Sequence, residues 1–301
     1  MSFTVGCVPY ANAIPLVAWF EELGEESPVK VVYDIPSKLP ALLDSGKADA
    51  VLVSSIDALL VPDRRMAEGV CIGSHGPVKS VRLFSKVAPG RIQSLALDQN
   101  SMTSNRLAQI ILKERFGVSP ATEAEPPNQQ TMLEKHNACV LIGDIGMTAP
   151  SDGLYVLDLG EEWMKLTGQP FVWAAWIGND RLTPELAAWL NTSSGNYYAG
   201  RDIHRRTLGA RLCNALMWRW YREVNECSVE YIENKQAELI SLAMQKVDWS
   251  QKTLRDYFFE IMVYDMDESV LDGYRTFQRL LLANGFSDCK HFPTLVANWV
   301  S

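Results

Sequence analysis

VGCVPYANAIPL, residues 5–16, contains a strand, a polar junction and the start of a helix. The apolar run through Val8 predicts a buried strand. Pro15 suits the first turn of a helix whose apolar residues continue at helical spacing to Leu23. Tyr10 and Asn12 fall at the junction between them. Because ligands of open α/β sheets bind beyond the carboxyl ends of the strands, this junction is a candidate wall of a ligand pocket.

The same alternation of strand and helix continues outward from this stretch. VKVVYDIP (29–36) and ADAVLVSS (48–55) read as strands, with a short helical segment over residues 37–46 between them. This βαβαβ order predicts a mostly parallel sheet with helices on its faces. A second α/β set begins with SVRLFSK (80–86). Within it ACVLIGDIGM (138–147) and LYVLDLG (154–160) read as strands, and EEWMKLTG (161–168) reads as a helix.

FVWAAWIGN (171–179) reads as a strand that returns to the first set. From residue 183 onward the apolar spacing is helical, including residues 207–224 and residues 253–264. We therefore expect an α/β protein of two lobes with a ligand cleft between them and a helical C-terminal region. Lobe 1 is predicted over residues 1–86 plus 178–301, and lobe 2 over residues 87–177.

Composition narrows the classes of function. A net charge of −8 over 301 residues argues against nucleic acid or an anionic membrane surface as partner, but a small anion can still bind helix N-termini and hydroxyl groups. No apolar run approaches the roughly 20 residues that span a bilayer. No secretory leader pattern follows Met1, which predicts a cytoplasmic protein. The six cysteines and four histidines are scattered, and no metal or cofactor motif is present, so neither group is expected.

Polar residues cluster at predicted strand ends and helix starts, and each has two interpretations. Asn12 could bind a carboxylate or only stabilise its turn. A hydroxyl following a strand or opening a helix could cap the helix or contact a ligand. Asp144 could be a base, an orienting group or a partner of loop N–H groups, and His75 could shuttle protons or be solvated. The hydroxyl candidates are Ser54, Ser55, Ser80, Ser101, Thr103 and Ser104.

Several blocks, taken in order, resemble those of one enzyme family. They are VGCVPYANAIPL, LPALLDSGKADAVLVSSIDAL, GPVKSVRLFSK, LDQNSMTSNRLAQIIL, LIGDIGM and LGEEWMKLTGQPFVWAAW, followed by YFFEIMVYDMDESVLDGYRTFQRLLLANG. Together they resemble the chorismate dehydratases of the futalosine route to menaquinone. The resemblance covers nearly the whole chain. It implies a fold similar to the type II periplasmic solute-binding proteins.

The resemblance also implies a reaction and a set of site residues. Chorismate would lose water and become 3-[(1-carboxyvinyl)oxy]benzoate, without metal or redox cofactor. Asn12 is implied as the central catalytic amide, and Thr103 and Ser104 as carboxylate binders. Ser54, Ser55 and Ser80 would be further donors to substrate, with Tyr10 and Asp144 shaping the site. No strong base stands in the matching blocks, so the substrate's own carboxylate is one hypothesis for the base.

Two alternatives remain open at this point. The sister enzyme of the same route, which forms a dihydroxynaphthoate, is similar in fold but looks to need a histidine where this chain has LIGDIGM. A non-catalytic binding protein for small carboxylates would bind chorismate without consuming it. The chain is expected to act as a monomer or homodimer.

Overall fold

The computed structural model describes residues 2–195 and 229–297, and it contains two β-sheets. The first sheet has seven strands in the order β11-β4-β10-β3-β1-β2, with β12 paired to β4. Its strands are β1 (Phe3–Cys7), β2 (Val29–Tyr33), β3 (Ala50–Ser54), β4 (Arg65–Ser74), β10 (Phe171–Gly178), β11 (Met262–Met266) and β12 (Thr294–Val296).

The second sheet has five strands in the order β7-β6-β8-β5-β9. Its strands are β5 (Arg82–Ser85), β6 (Ser94–Asp98), β7 (Ala121–Glu125), β8 (Ala138–Leu141) and β9 (Tyr155–Asp158). The predicted division at residues 86/87 and 177/178 stays a prediction. The strand pairing itself changes sheet before Arg82 and again before Phe171.

Eleven α-helices connect and cover the sheets within the described ranges. They are α1 (Ile14–Leu23), α2 (Leu39–Asp44), α3 (Asp57–Leu60), α4 (Thr103–Phe116), α5 (Gln129–Lys135), α6 (Gly143–Thr148), α7 (Leu159–Thr167), α8 (Pro184–Gly195), α9 (Val229–Met244), α10 (Gln251–Asp256) and α11 (Glu268–Ala283). None of these helices is both long and apolar enough to cross a membrane. The helix predicted over residues 207–224 lies outside the described residues.

Three local expectations differ from the structure. The first sheet is mixed, because β10 runs antiparallel to both β3 and β4. The strand predicted through LIGDIGM ends at Leu141, and Gly143, with φ of 61°, turns the chain into α6. The helix predicted through residue 264 ends in a π-helical turn at Ile261, and β11 follows it. A short run of apolar residues at a buried sheet edge fits the spacing of a helix as well as that of a strand, so the spacing alone does not distinguish a helix from a strand.

Aromatic residues pack the second crossover between the sheets. Trp163 of α7 contacts Phe171 of β10 with ring centroids 5.1 Å apart, and Phe277 of α11 lies 5.0 Å from Phe171. All three side chains are fully buried. The packing fixes the strand that returns to the first sheet, and Trp173, 4.5 Å from Phe171, is thereby placed beside the cleft between the sheets.

Candidate active site

A cleft with about 660 Å³ of space, part of it open to solvent, lies between the two lobes. The first lobe, taken here as the part of the chain built on the seven-stranded sheet, contributes the carboxyl end of β3, the junction after β1, and parts of β4 and β10. The second lobe contributes the start of α4 and the β8–α6 turn. Six of the eight residues to which the resemblance gives a role line this cleft: Tyr10, Asn12, Ser54, Ser80, Thr103 and Ser104. Ser55 and Asp144 are not among its lining residues.

Asn12 lies in the turn before α1, beside a buried phenol. Its Oδ1 is buried and has no hydrogen-bond partner among the described residues. Tyr257, 2 % exposed, places its hydroxyl 2.8 Å from Ser80 Oγ, and its oxygen also accepts a hydrogen bond from the side-chain N–H of Asn12. Burial raises the pKa of Tyr257 to about 12, although these two hydrogen bonds favour the phenolate. The phenol is therefore neutral near pH 7, and it links Asn12 to Ser80.

Ser54 and Thr103 join the two lobes through a reciprocal contact. Ser54 Oγ accepts a hydrogen bond from the Thr103 N–H at 3.0 Å, at the start of α4. Thr103 Oγ1 accepts one from the Ile56 N–H at 3.2 Å, at the start of α3. The two hydroxyl oxygens lie 2.5 Å apart. Each hydroxyl thus caps a helix of the opposite lobe, and the α4 N-terminus has no side-chain cap of its own.

Ser55 lies behind this contact and not on the cleft surface. Its hydroxyl donates to the Val172 carbonyl at 2.7 Å, and its own carbonyl accepts from the Tyr274 hydroxyl at 2.7 Å. Ser55 is fully buried. The structure therefore gives Ser55 contacts that tie β3 to β10 and α11, while its neighbour Ser54 faces the cleft.

Tyr10 and Asp144 flank the cleft from opposite lobes. Burial raises the pKa of Tyr10, and the carboxylates of Asp98 and Asp144 raise it further. Asp144, at the start of α6, is exposed as a whole, but partial burial of its carboxyl group raises its pKa. Helix α6 packs closely here, because a Cβ on Gly146 would lie 2.3 Å from the Ser80 carbonyl oxygen. Asp144 is thus held at the rim, near Tyr10.

Sequence reasoning missed two residues of this site. Tyr257 falls in an apolar segment interpreted as an ordinary helix, so its single hydroxyl carried no signal. Trp173 lines the cleft and donates from Nε1 to Ser74 Oγ at 3.0 Å, but it lies within a strand whose apolar run predicts only core. Asn100 also lines the cleft, just before α4, beside Ser101, which the sequence already offered as a hydroxyl candidate.

The cleft offers no donor set typical of a metal centre. Among its described lining residues there is no carboxylate, imidazole or thiol. A group that could hold a cation lies elsewhere, where Glu123 and Glu125 of β7 meet His136. Lys135 Nζ already lies 2.8 and 2.9 Å from the two oxygens of Glu125. This cluster is therefore a local network of ion pairs, separate from the cleft.

Comparison of the chain with known proteins identifies its family. A family model described as menaquinone biosynthesis matches residues 3–194. The chain belongs to this family. It is 31% identical over 198 residues to the chorismate dehydratase of Thermus thermophilus, covering 58% of this chain and 69% of that protein. It is 26% identical over 174 residues to the chorismate dehydratase of Campylobacter jejuni, covering 56% of this chain and 64% of that protein.

Solved structures agree on the fold. The periplasmic aliphatic sulphonate binding protein SsuA of Escherichia coli superposes with a TM-score of 0.59 at 12% identity, covering 100% of this chain and 95% of that one. The chain therefore has the two-lobed α/β fold of the periplasmic binding proteins, with a helical C-terminal region. The family match ends at residue 194, so the contribution of Tyr257 to the cleft comes from the structure and not from that match.

Proposed function

We propose that this protein is a chorismate dehydratase, a hydro-lyase that converts chorismate into 3-[(1-carboxyvinyl)oxy]benzoate and water. The proposal places it in the cytoplasm, on the futalosine route to menaquinone. Its family and the names of its two relatives support the reaction class. The observation that carries the assignment to this cleft is the buried, unpartnered Oδ1 of Asn12.

An unpartnered buried acceptor favours a ligand that brings a donor. Chorismate is a dicarboxylate with one hydroxyl, and this hydroxyl is its only hydrogen-bond donor and also its leaving group. Accepting from that hydroxyl, Asn12 would fix the orientation of the C–O bond that breaks. The Ser80 hydroxyl, held by Tyr257, would donate to the same oxygen as negative charge develops on it.

The carboxylates of chorismate would meet uncharged donors. Thr103 and Ser104 stand at the start of the 14-residue α4, where the helix dipole and free N–H groups favour negative charge. Ser54 reaches the same point from the other lobe. Binding across this contact would hold the substrate in one conformation. This matters because chorismate can also rearrange or lose pyruvate.

The proton that must leave is the one on the ring carbon that carries the enolpyruvyl ether. Because the described lining holds no basic side chain, we assign its removal to the substrate's own enolpyruvyl carboxylate. The electron pair of this C–H bond forms the new ring double bond, and the adjacent C–O bond breaks. The abstracted proton and the departing hydroxide together form water. Aromatisation of the ring supplies the driving force.

The test is incubation of the purified protein with chorismate, following the ring-diene absorbance and identifying the product by mass. A product lighter by one water supports the proposal. An isomer of unchanged mass, or release of pyruvate, would overturn it. Chorismate that is bound but not consumed would instead assign the cleft to a non-catalytic binding protein.

A further inference from the structure

We propose that Asp158 is a positioning residue for Ser80: its carboxylate holds the first crossover between the lobes in the backbone conformation that directs the Ser80 hydroxyl into the cleft. The kinetic consequences of this inference rest on the proposed function. Its structural consequence, the position of the Ser80 hydroxyl, rests on the geometry alone. Asp158 ends β9 and does not line the cleft. It therefore acts through Ser80 and not on the substrate.

The carboxylate of Asp158 accepts hydrogen bonds from two segments of the chain. Oδ1 caps α7, accepting from the Gly160 N–H at 3.0 Å and the Glu161 N–H at 3.1 Å. Oδ2 accepts from the Lys79 N–H at 2.6 Å. The Val78 N–H lies 3.0 and 3.1 Å from Oδ1 and Oδ2. One carboxylate thus binds the start of a helix and the crossover that precedes β5.

The crossover needs such a restraint because Lys79 has a left-handed backbone, with φ of 62°. Side-chain-bearing residues disfavour this conformation, since Cβ crowds the neighbouring carbonyl. Only Asp63 shares it among the non-glycine residues that the structure describes. Hydrogen bonds to Asp158 at Val78 and Lys79 compensate for this cost and set the direction of the next residue.

That next residue is Ser80, which is 2 % exposed and bonded to Tyr257. Arg82, two residues further, pairs directly with Asp158 in the β5–β9 ladder. The carboxylate is therefore fixed by the sheet on one side, and it fixes the residues just before Ser80 on the other. A change of backbone at Lys79 moves the Ser80 hydroxyl relative to Asn12 and Tyr257.

The test is Asp158→Ser, because serine is a good helix N-cap but is too short to reach the crossover as well. We expect kcat to fall about 10- to 100-fold, since small misplacements of a reacting-site group have effects of that size, with KM changed less than about threefold. The matched control is Asn128→Ala, which removes a side-chain cap from α5 in the same lobe and should leave kcat unchanged.

Two further variants separate positioning from loss of stability. Ser80→Ala combined with Asp158→Ser should be no slower than Ser80→Ala alone, because the effect runs through Ser80. Lys79→Gly in the Asp158→Ser background should restore part of kcat, since glycine adopts the left-handed conformation freely. Additive losses in the first pair, or no recovery in the second, would overturn the proposal.

A crystal structure of Asp158→Ser gives a readout that does not depend on turnover. We expect Ser80 Oγ to lie beyond hydrogen-bonding distance of the Tyr257 oxygen, more than about 3.5 Å away. An unchanged 2.8 Å contact would refute the positioning role whatever the activity. A wild-type protein that leaves chorismate unchanged would instead refute the proposed function while this structural test still stands.

Discussion

Replacing Thr103 with valine removes one hydroxyl and nearly preserves the shape of the side chain. The hydroxyl oxygen lies 2.5 Å from Ser54 Oγ and accepts from the Ile56 N–H at 3.2 Å. Ile56 is fully buried, so its N–H would lose its partner in a place that water does not reach. Two lost hydrogen bonds at about 1 kcal/mol each, with a cost of about 1 kcal/mol for the unpaired N–H, sum to about 3 kcal/mol.

The more apolar valine offsets part of this, so we expect the free energy of unfolding to fall by about 2 kcal/mol. The measurement is urea unfolding of the wild type, Thr103→Val, Ser54→Ala and the double variant. Because the two hydroxyls are in contact, the cycle should show a coupling free energy of about 1 kcal/mol. The KM for chorismate should also rise, by about tenfold, because a donor at the start of α4 is lost.

The control is Thr192→Val, in another buried threonine. Its hydroxyl donates to the Ala188 carbonyl at 2.8 Å, one turn earlier in α8, so its loss should cost less than about 1 kcal/mol. Losses at Ser54 and Thr103 that add to within about 0.3 kcal/mol would show that the contact between the lobes contributes no energy. That result would refute the reasoning on the reciprocal caps.

Three further predictions concern the cleft. Asn12→Ala and Asn12→Asp should each lower kcat by about 100-fold or more. The alanine variant removes the acceptor for the leaving hydroxyl, and the aspartate variant adds a negative charge beside a dianion. A well-folded variant with full turnover would exclude Asn12 from the mechanism. Tyr257→Phe should reduce the loss of stability as the pH rises, because an unfolded tyrosine ionises with a pKa of about 10, whereas burial raises the pKa of Tyr257 in the folded protein to about 12. The free energy of unfolding of the wild type therefore falls between these two pH values, and that of the variant should fall less. Urea titrations in this range that give the same pH dependence for both proteins would contradict the raised pKa of Tyr257. Asp144→Asn should lower the KM for chorismate severalfold at pH 7, since a negative charge leaves the rim; steady-state kinetics that show a higher KM would place Asp144 in a binding role.

Much of the site could be predicted from the chain, because strand ends and helix starts have local signals. The junction at Tyr10 and Asn12, the hydroxyl of Ser54 after β3 and that of Thr103 at the start of α4 all stand out. The parallel strands β1 and β3 bring the first two of these positions to one edge of their sheet. Their partners could not be predicted. Ser54 and Thr103 are 49 residues apart, and nothing local indicates that each caps the helix of the other.

The C-terminal contribution to the cleft was hidden for a different reason. Tyr257 begins a π-helical turn that leads into β11, and an apolar segment of this length fits a helix as well as an edge strand. The role of Lys79 was hidden too, because a lysine before a strand gives no sign of a left-handed backbone. Both depend on tertiary packing that no window of sequence contains.

The neutral lining of the cleft has a consequence for how fast substrate arrives. The described lining carries no lysine or arginine, and the chain has a net charge of −8, so a doubly negative molecule approaches against a repulsive field. Added salt shortens the range of that field from about 30 Å at 0.01 M to about 8 Å at 0.15 M. The association rate constant for chorismate should therefore increase with ionic strength, the reverse of what electrostatic steering gives.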